Sequence, residues 1–205
     1  MPARNTIKEY GEDYYYHVYN RGANKQTIFH DDADYKYFLH LLKRHLSTNP
    51  TLDKLGREYR HLRTHVDLIS YCLMPNHFHL LLYNRQREGM ELLMRSITTA
   101  YSMYYNRKYD HSGRLFQGAY KASLIESEPY LQHISRYIHR NPKDYEQYPY
   151  SSFTPLVNQH SIEWLSNDLL DNIFEGSTED YKIFVADYED YEDTLEEIKI
   201  DLADS

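Results

Sequence analysis

The stretch VDLISYCLMPNHFHLLLY, Val66 to Tyr83, holds two apolar runs, Val66 to Leu73 and His77 to Tyr83, separated by Met74-Pro75-Asn76. Short β-rich runs bounded by turn residues predict an antiparallel hairpin. Successive side chains of a strand point to opposite faces. His77 and His79 therefore share one face, and Phe78, Leu80 and Leu82 take the other. Phe78 is expected to anchor the strand in the core, while two neighbouring imidazoles on a sheet make half of a metal site.

Upstream of the hairpin, Tyr14-Tyr15-Tyr16-His17-Val18-Tyr19 is aromatic and β-branched, stops at Asn20-Arg21-Gly22, and predicts a first strand. From Asp31 the spacing of Tyr35, Phe38, Leu39, Leu42 and Leu46 predicts a helix, with acids early and Lys43, Arg44 and His45 late. Ser47 to Thr64 is polar, contains Pro50 and Gly56, and is expected to be a mobile connection. After the hairpin, Met90, Leu93, Met94, Ile97, Tyr101, Tyr104 and Tyr105 form the apolar stripe of a long helix. Asp110 to Gly118 reads as a loop, Ala119 to Ile125 as a fourth strand, and Glu128-Pro129 as the opening of a further helix that Pro142 closes. The order predicts an α+β fold, a ferredoxin-like βαββαβ core with one added helix. Its sheet should be antiparallel, with helices on one face and the other face open to a ligand.

The chain has 205 residues, 23 tyrosines and a single cysteine, Cys72, so no internal disulfide is possible and a reducing compartment is indicated. The start MPARNTIKEYGEDYYY has no charged-then-apolar leader pattern. No apolar run approaches the roughly 20 residues that cross a membrane, and a soluble, cytoplasmic protein is expected. The net charge of −8 averages two unlike parts. Residues 1–160 carry 21 Lys and Arg against 16 Asp and Glu, whereas residues 161–205 carry 2 against 15. This asymmetry predicts a basic working domain, residues 1–160, followed by an acidic helical extension, residues 161–205. Within the latter, Tyr188 to Asp193 reads as a solvated helix face, with competition against DNA as the lesser alternative.

His-X-His on a strand is a weak signal by itself, since polar-face or hydrogen-bonded core histidines show the same spacing. The helix Tyr130 to Asn141 offers a third donor, since His133, Tyr137 and Asn141 are spaced i, i+4 and i+8 along one face. A tyrosine hydroxyl and an amide oxygen beside a metal would suit attack on a phosphodiester through a phosphotyrosine intermediate. With so many tyrosines in the chain, a packing role for Tyr137 stays open, and Asn141 before Pro142 also fits a helix end.

Four ordered blocks carry a family resemblance: YHVYNRG (16–22), MPNHFHL (74–80), GRLFQGAYK (113–121) and YIHRNP (137–142). Over about Tyr14 to Ser152 the chain resembles the single-tyrosine HUH transposases, and within them the REP-associated tyrosine transposases linked to palindromic repeats. The resemblance implies the ferredoxin-like core, a divalent metal (Mg or Mn) held by His77 and His79, and Tyr137 as the nucleophile in cleavage and strand transfer of single-stranded DNA at hairpin-forming sequences. The products would be a 5′-phosphotyrosine and a free 3′-hydroxyl. Relatives often carry a glutamine as third ligand one turn after the tyrosine; Asn141 stands there, an oxygen donor with shorter reach. His133 is expected, from spacing alone, to accept the proton of Tyr137.

For DNA, basic residues beside aromatic or small ones are the candidates: Arg21, Lys25, Arg107, Lys108, Arg114, Gln117 and Lys121, with Phe116 either stacking on a base or plugging the core. Three other functions share these features: a domesticated DNA-hairpin binder, a water-using metal phosphoesterase and an RNA-hairpin-binding module. Relatives occur as monomers and dimers, and either state fits the sequence.

Overall fold

A computed structural model describes residues 10–167 and 169–187. The acidic tail expected beyond them, Tyr188 to Asp193 included, lies outside the described residues. Strands β1 (Tyr14–Arg21), β2 (Val66–Met74), β3 (His77–Asn84) and β4 (Lys121–Ile125) form one antiparallel sheet in the order β2-β3-β1-β4. Helix α1 (Asp32–Leu46) links β1 to β2, α2 (Gly89–Lys108) links β3 to β4, and α3 (Glu128–His139) and the short α4 (Phe153–Val157) follow β4. This is the expected βαββαβ order with one helix added, and β3, carrying the histidine pair, is a central strand.

Local chemistry sets the element ends. The Asp31 carboxylate accepts from the Asp34 amide at 3.1 Å and caps α1, and Ser127 caps α3 with Pro129 in its first turn. On one face of the sheet Val18, Phe78, Leu80 and Leu82 pack with Phe38 and Leu42 of α1 and with Met90, Leu93 and Ile97 of α2. Phe78 is fully buried, its ring 5.1 Å from that of Phe38.

The expectation of one open sheet face does not hold. Ile69, Cys72, Leu81 and Ile125 on the second face are buried against Leu131, Ile134 and Ile138 of α3. Each such side chain contributes roughly 1.5–3 kcal/mol by leaving water, so the apolar stripe of α3 draws that helix onto the sheet. Beneath it, β2 is buried along nearly its whole length and carries a bulge between Leu68 and Ser70. The polar 47–64 connection is also more ordered than expected: Leu52 pairs with Glu58, and Asp53 Oδ1 accepts from the amides of Leu55 and Arg57 at 2.8 and 2.9 Å.

Of the extension expected from residue 161 onward, the described residues 161–167 and 169–187 are built into the body. Trp164 stacks on Tyr71 with ring centroids 5.8 Å apart, and Tyr181 and Val185 of α5 (Thr178–Ala186) are fully buried against the α3 side of the sheet. Arg136 of α3 is also fully buried; its Nη1 donates to the carbonyls of Phe184 and Asp187 at 3.1 and 3.3 Å, and its guanidinium lies 4.2 Å from the Phe184 ring centroid. A cation on the last carbonyls of α5 opposes the negative end of that helix. Among the described residues no helix is long and apolar enough to cross a membrane.

Candidate active site

The site is assembled where β1 ends. The Gly22 amide donates to the Asn76 carbonyl at 2.9 Å, the Ala23 amide to the Leu115 carbonyl at 2.8 Å, and the Gln117 amide to the Arg21 carbonyl at 2.8 Å. One short segment thus ties the hairpin turn and the glycine loop to the end of β1. A Cβ on Gly22 would sit 2.2 Å from the Gln26 carbonyl oxygen and 2.9 Å from Ile28 Cγ2. Only glycine permits that approach.

Strand register then groups the imidazoles. Tyr19 stands opposite His79 and Arg21 opposite His77 across the β1–β3 ladder, so β1 puts His17, Tyr19 and Arg21 on the face of the histidine pair. His17 Nε2 lies 2.8 Å from His79 Nδ1. Burial lowers the pKa of all three histidines, that of His17 to about 3; at His79 the neighbouring imidazoles of His17 and His77 add to the effect, and at His77 the contact with Asn141 opposes it. All three rings are therefore neutral near pH 7, the form in which imidazole binds metals.

His77 has a defined tautomer. The Asn76 amide donates through Nδ2 to the Lys25 carbonyl at 3.3 Å, which turns Asn76 Oδ1 toward His77 Nδ1 at 2.7 Å as acceptor of its N–H. Nε2 is left with a lone pair, and Asn141 Oδ1 lies 3.0 Å from it. Two acceptors at that separation are compatible either with a rotated amide that donates its NH₂ or with a cation held by both. Among the described residues no three His, Cys, Asp or Glu side chains are grouped to hold a metal. The available donor set is two imidazoles and an amide oxygen, which leaves places for phosphate and water.

Tyr137 comes from α3. Its ring stands edge-on to His79 at 5.4 Å and to His17 at 5.9 Å, half-buried at the wall of a cleft of about 460 Å³ lined also by Tyr19, Arg21, His77, Gln117, Lys121 and Asn141. Asn141 lies just past the end of α3, which stops at His139; the chain leaving the helix delivers it to His77. A second groove of about 480 Å³ meets the cleft at Asn20, Gly118 and Ala119 and runs along Arg95, Thr98, Ser102 and Asn106 of α2.

Several expected residues sit elsewhere. His133 Nδ1 accepts from Arg136 Nη2 at 2.6 Å, and its ring is 5.7 Å from that of Phe184. It is engaged between α3 and α5, which speaks against the proton-acceptor role read from helical spacing. Phe116 is the core plug, not an exposed stacking platform: it is 7% exposed and edge-on to Phe78 at 5.9 Å. Lys108 bridges Asp31 and Asp34 at 2.8 and 2.7 Å, fastening α2 to α1. Its charge is largely spent on those carboxylates and is poorly placed for phosphate. Arg107, Arg114 and Lys25 are exposed outside the cleft lining.

Residues 11–141 match the family model described as IS200-like transposase. The chain belongs to that family. The matched span of this IS200-like transposase reaches from the entry to β1 to Asn141 and contains His17, His77, His79 and Tyr137. No curated protein matches the sequence. Among solved structures, the chain is similar to a REP-associated tyrosine transposase bound to a REP hairpin, at 14% identity and a TM-score of 0.53 over 77% of this chain and 88% of that one. At that identity the likeness shows a shared fold. It is also similar to a candidate transposase from Deinococcus radiodurans R1, at 16% identity over 63% of this chain and 91% of that one, with a TM-score of 0.41, too low to bear on the fold.

His17 and Asn76 were missed as site residues by reading the sequence alone. The signal for His17 was present: alternation along β1 places it with Tyr19 and Arg21, and a ferredoxin-like strand order sets β1 beside β3. Asn76 had no comparable signal, since its contact depends on the Lys25 carbonyl, where the chain turns through a φ of 61°.

Proposed function

We propose that this transposase belongs to the REP-associated branch and cuts single-stranded DNA beside a hairpin through Tyr137, transferring the strand. The observation that carries this reading is the convergence of Tyr137 with His77, His79 and Asn141 in one cleft edged by Arg21 and Lys121. The neighbour with the same fold is a tyrosine transposase bound to a REP hairpin, which supports a hairpin of this kind as the partner.

In this mechanism His77, His79 and Asn141 would hold a divalent ion, Mg or Mn. Such an ion would supply Lewis-acid stabilisation of the charge on the scissile phosphate. Arg21 and Lys121 bind flanking phosphates, and Tyr19 offers a half-buried ring beside them. The Tyr137 oxygen attacks phosphorus as its proton passes to water; a P–O(Tyr) bond forms, the P–O3′ bond breaks, and the departing 3′ oxygen takes up a proton from water. A 5′-phosphotyrosine and a 3′-hydroxyl result, and the reverse attack by a 3′-hydroxyl rejoins strands. Residues 1–160 carry this chemistry, and the stretch that follows seats α3.

The test is incubation of the full chain with hairpin-bearing single-stranded DNA and Mn or Mg. A denaturant-resistant adduct that maps to Tyr137 and disappears in Y137F, with DNA binding preserved, is the expected result. Cleavage surviving in Y137F would select a water-using phosphoesterase. Tight hairpin binding with no adduct would select a binding protein, of DNA or RNA according to which hairpin is preferred.

A further inference from the structure

His17 is fully buried beneath α3, in a place where a phenylalanine or leucine would pack at no polar cost. It makes one hydrogen bond, to His79 at 2.8 Å, and its Nδ1 has no partner among the described residues. A buried nitrogen left without a partner costs roughly 1–3 kcal/mol and calls for an explanation. The rings of His17 and His79 are stacked 5.0 Å apart at an interplanar angle of 22°, which aligns one nitrogen of each.

A single proton lies between two neutral rings, so two arrangements exist. In one, His17 Nε2–H donates to His79 Nδ1, and His79 turns an N–H outward to the cleft, where it repels a cation. In the other, His79 Nδ1–H donates to His17 Nε2, His17 carries its own proton on the unpartnered Nδ1, and His79 turns a lone pair outward. We propose that His17 is a positioning residue that accepts the Nδ1–H of His79 and so fixes that ring as a cation ligand through Nε2. Asn76 does the same for His77, accepting from its Nδ1 at 2.7 Å. Both ligands then present Nε2 to the cleft, each tautomer set by its own acceptor; acceptors of this kind orient metal-bound imidazoles generally.

The inference rests on the reading of His79 as a ligand, and two measurements separate the two ideas. Long-range ¹H–¹⁵N spectra of metal-free wild-type protein are expected to show His79 protonated at Nδ1; protonation at Nε2 overturns the role of His17 without recourse to any variant. Mn binding by the intact chain, followed by electron paramagnetic resonance of free Mn in the absence of DNA, is expected to weaken about 10–100-fold in H17F. H17Q, whose amide oxygen can accept the same proton, should recover most of the loss. A purely structural His17 would instead leave Mn affinity unchanged in H17F, and that result overturns the proposal. H77A serves as the control: a wild-type chain that binds Mn no better than H77A overturns the metal reading itself, whatever the His79 tautomer.

Discussion

His139 gives the helix that carries Tyr137 a built-in acid sensitivity. Its ring is fully buried two residues past the tyrosine, with Nδ1 2.5 Å from the Tyr181 hydroxyl and Nε2 2.7 Å from Ser152 Oγ. Tyr181 donates onward to Ser135 at 3.2 Å, so its oxygen accepts from Nδ1–H, and Nε2 faces a hydroxyl that also contacts the amide and carbonyl of Tyr71. That network satisfies a neutral ring. Burial lowers the pKa from 6.5 to about 3. The unfolded chain binds this proton below pH 6.5 and the folded chain does not until about pH 3, so folding stability from this residue is intact above pH 6.5 and falls as pH drops. One proton over the 1.5 units from pH 6.5 to 5.0, at 1.36 kcal/mol per unit, is about 2 kcal/mol. Urea unfolding at pH 7.5 and 5.0 measures it in wild type and in H139Q, whose amide can contact both hydroxyls. The variant should be less stable at pH 7.5, yet lose about 2 kcal/mol less than wild type between the two pH values. Equal losses in the two proteins would refute the reasoning, because His139 would then titrate alike folded and unfolded.

Other outcomes follow from the same geometry. K121A should weaken binding of single-stranded DNA and reduce the slope of log affinity against log salt by about 0.7, one phosphate contact; K108A should leave that slope unchanged while lowering the urea midpoint, because Lys108 pairs with Asp31 and Asp34. A change of slope in K108A would return that residue to the DNA interface. G22A places a methyl 2.2 Å from the Gln26 carbonyl oxygen and should destabilise the fold by about 1–3 kcal/mol and weaken Mn binding along with it; wild-type unfolding in urea would show that the turn relaxes freely. N141A should weaken Mn binding while N141D preserves it, and equal affinities in wild type and N141A would remove Asn141 from the ligand set.

By itself the sequence determined the order of elements, because apolar periodicity and turn chemistry are local: the hairpin around Pro75, the stripe of α2 and the capped start of α3 all stand where their residues predict. Alternation on β3 also set His77 and His79 against Phe78, and the four blocks pointed to the family. Tertiary structure decided what those residues meet. Helical spacing put His133 on a line with Tyr137, but a line on a helix leaves open which neighbour lies beside it; Arg136 and Phe184 claim that ring. The same spacing extended the helix to Asn141, whereas α3 ends at His139 and the outgoing chain carries the amide to His77. The closed second face of the sheet, the burial of Phe116 and the pairing of Lys108 with α1 depend on residues dozens of positions apart. So does the hydrogen bond between His17 and His79, 62 residues apart along the chain. Local pattern specifies which side of an element a residue occupies, and only packing specifies what lies against that side.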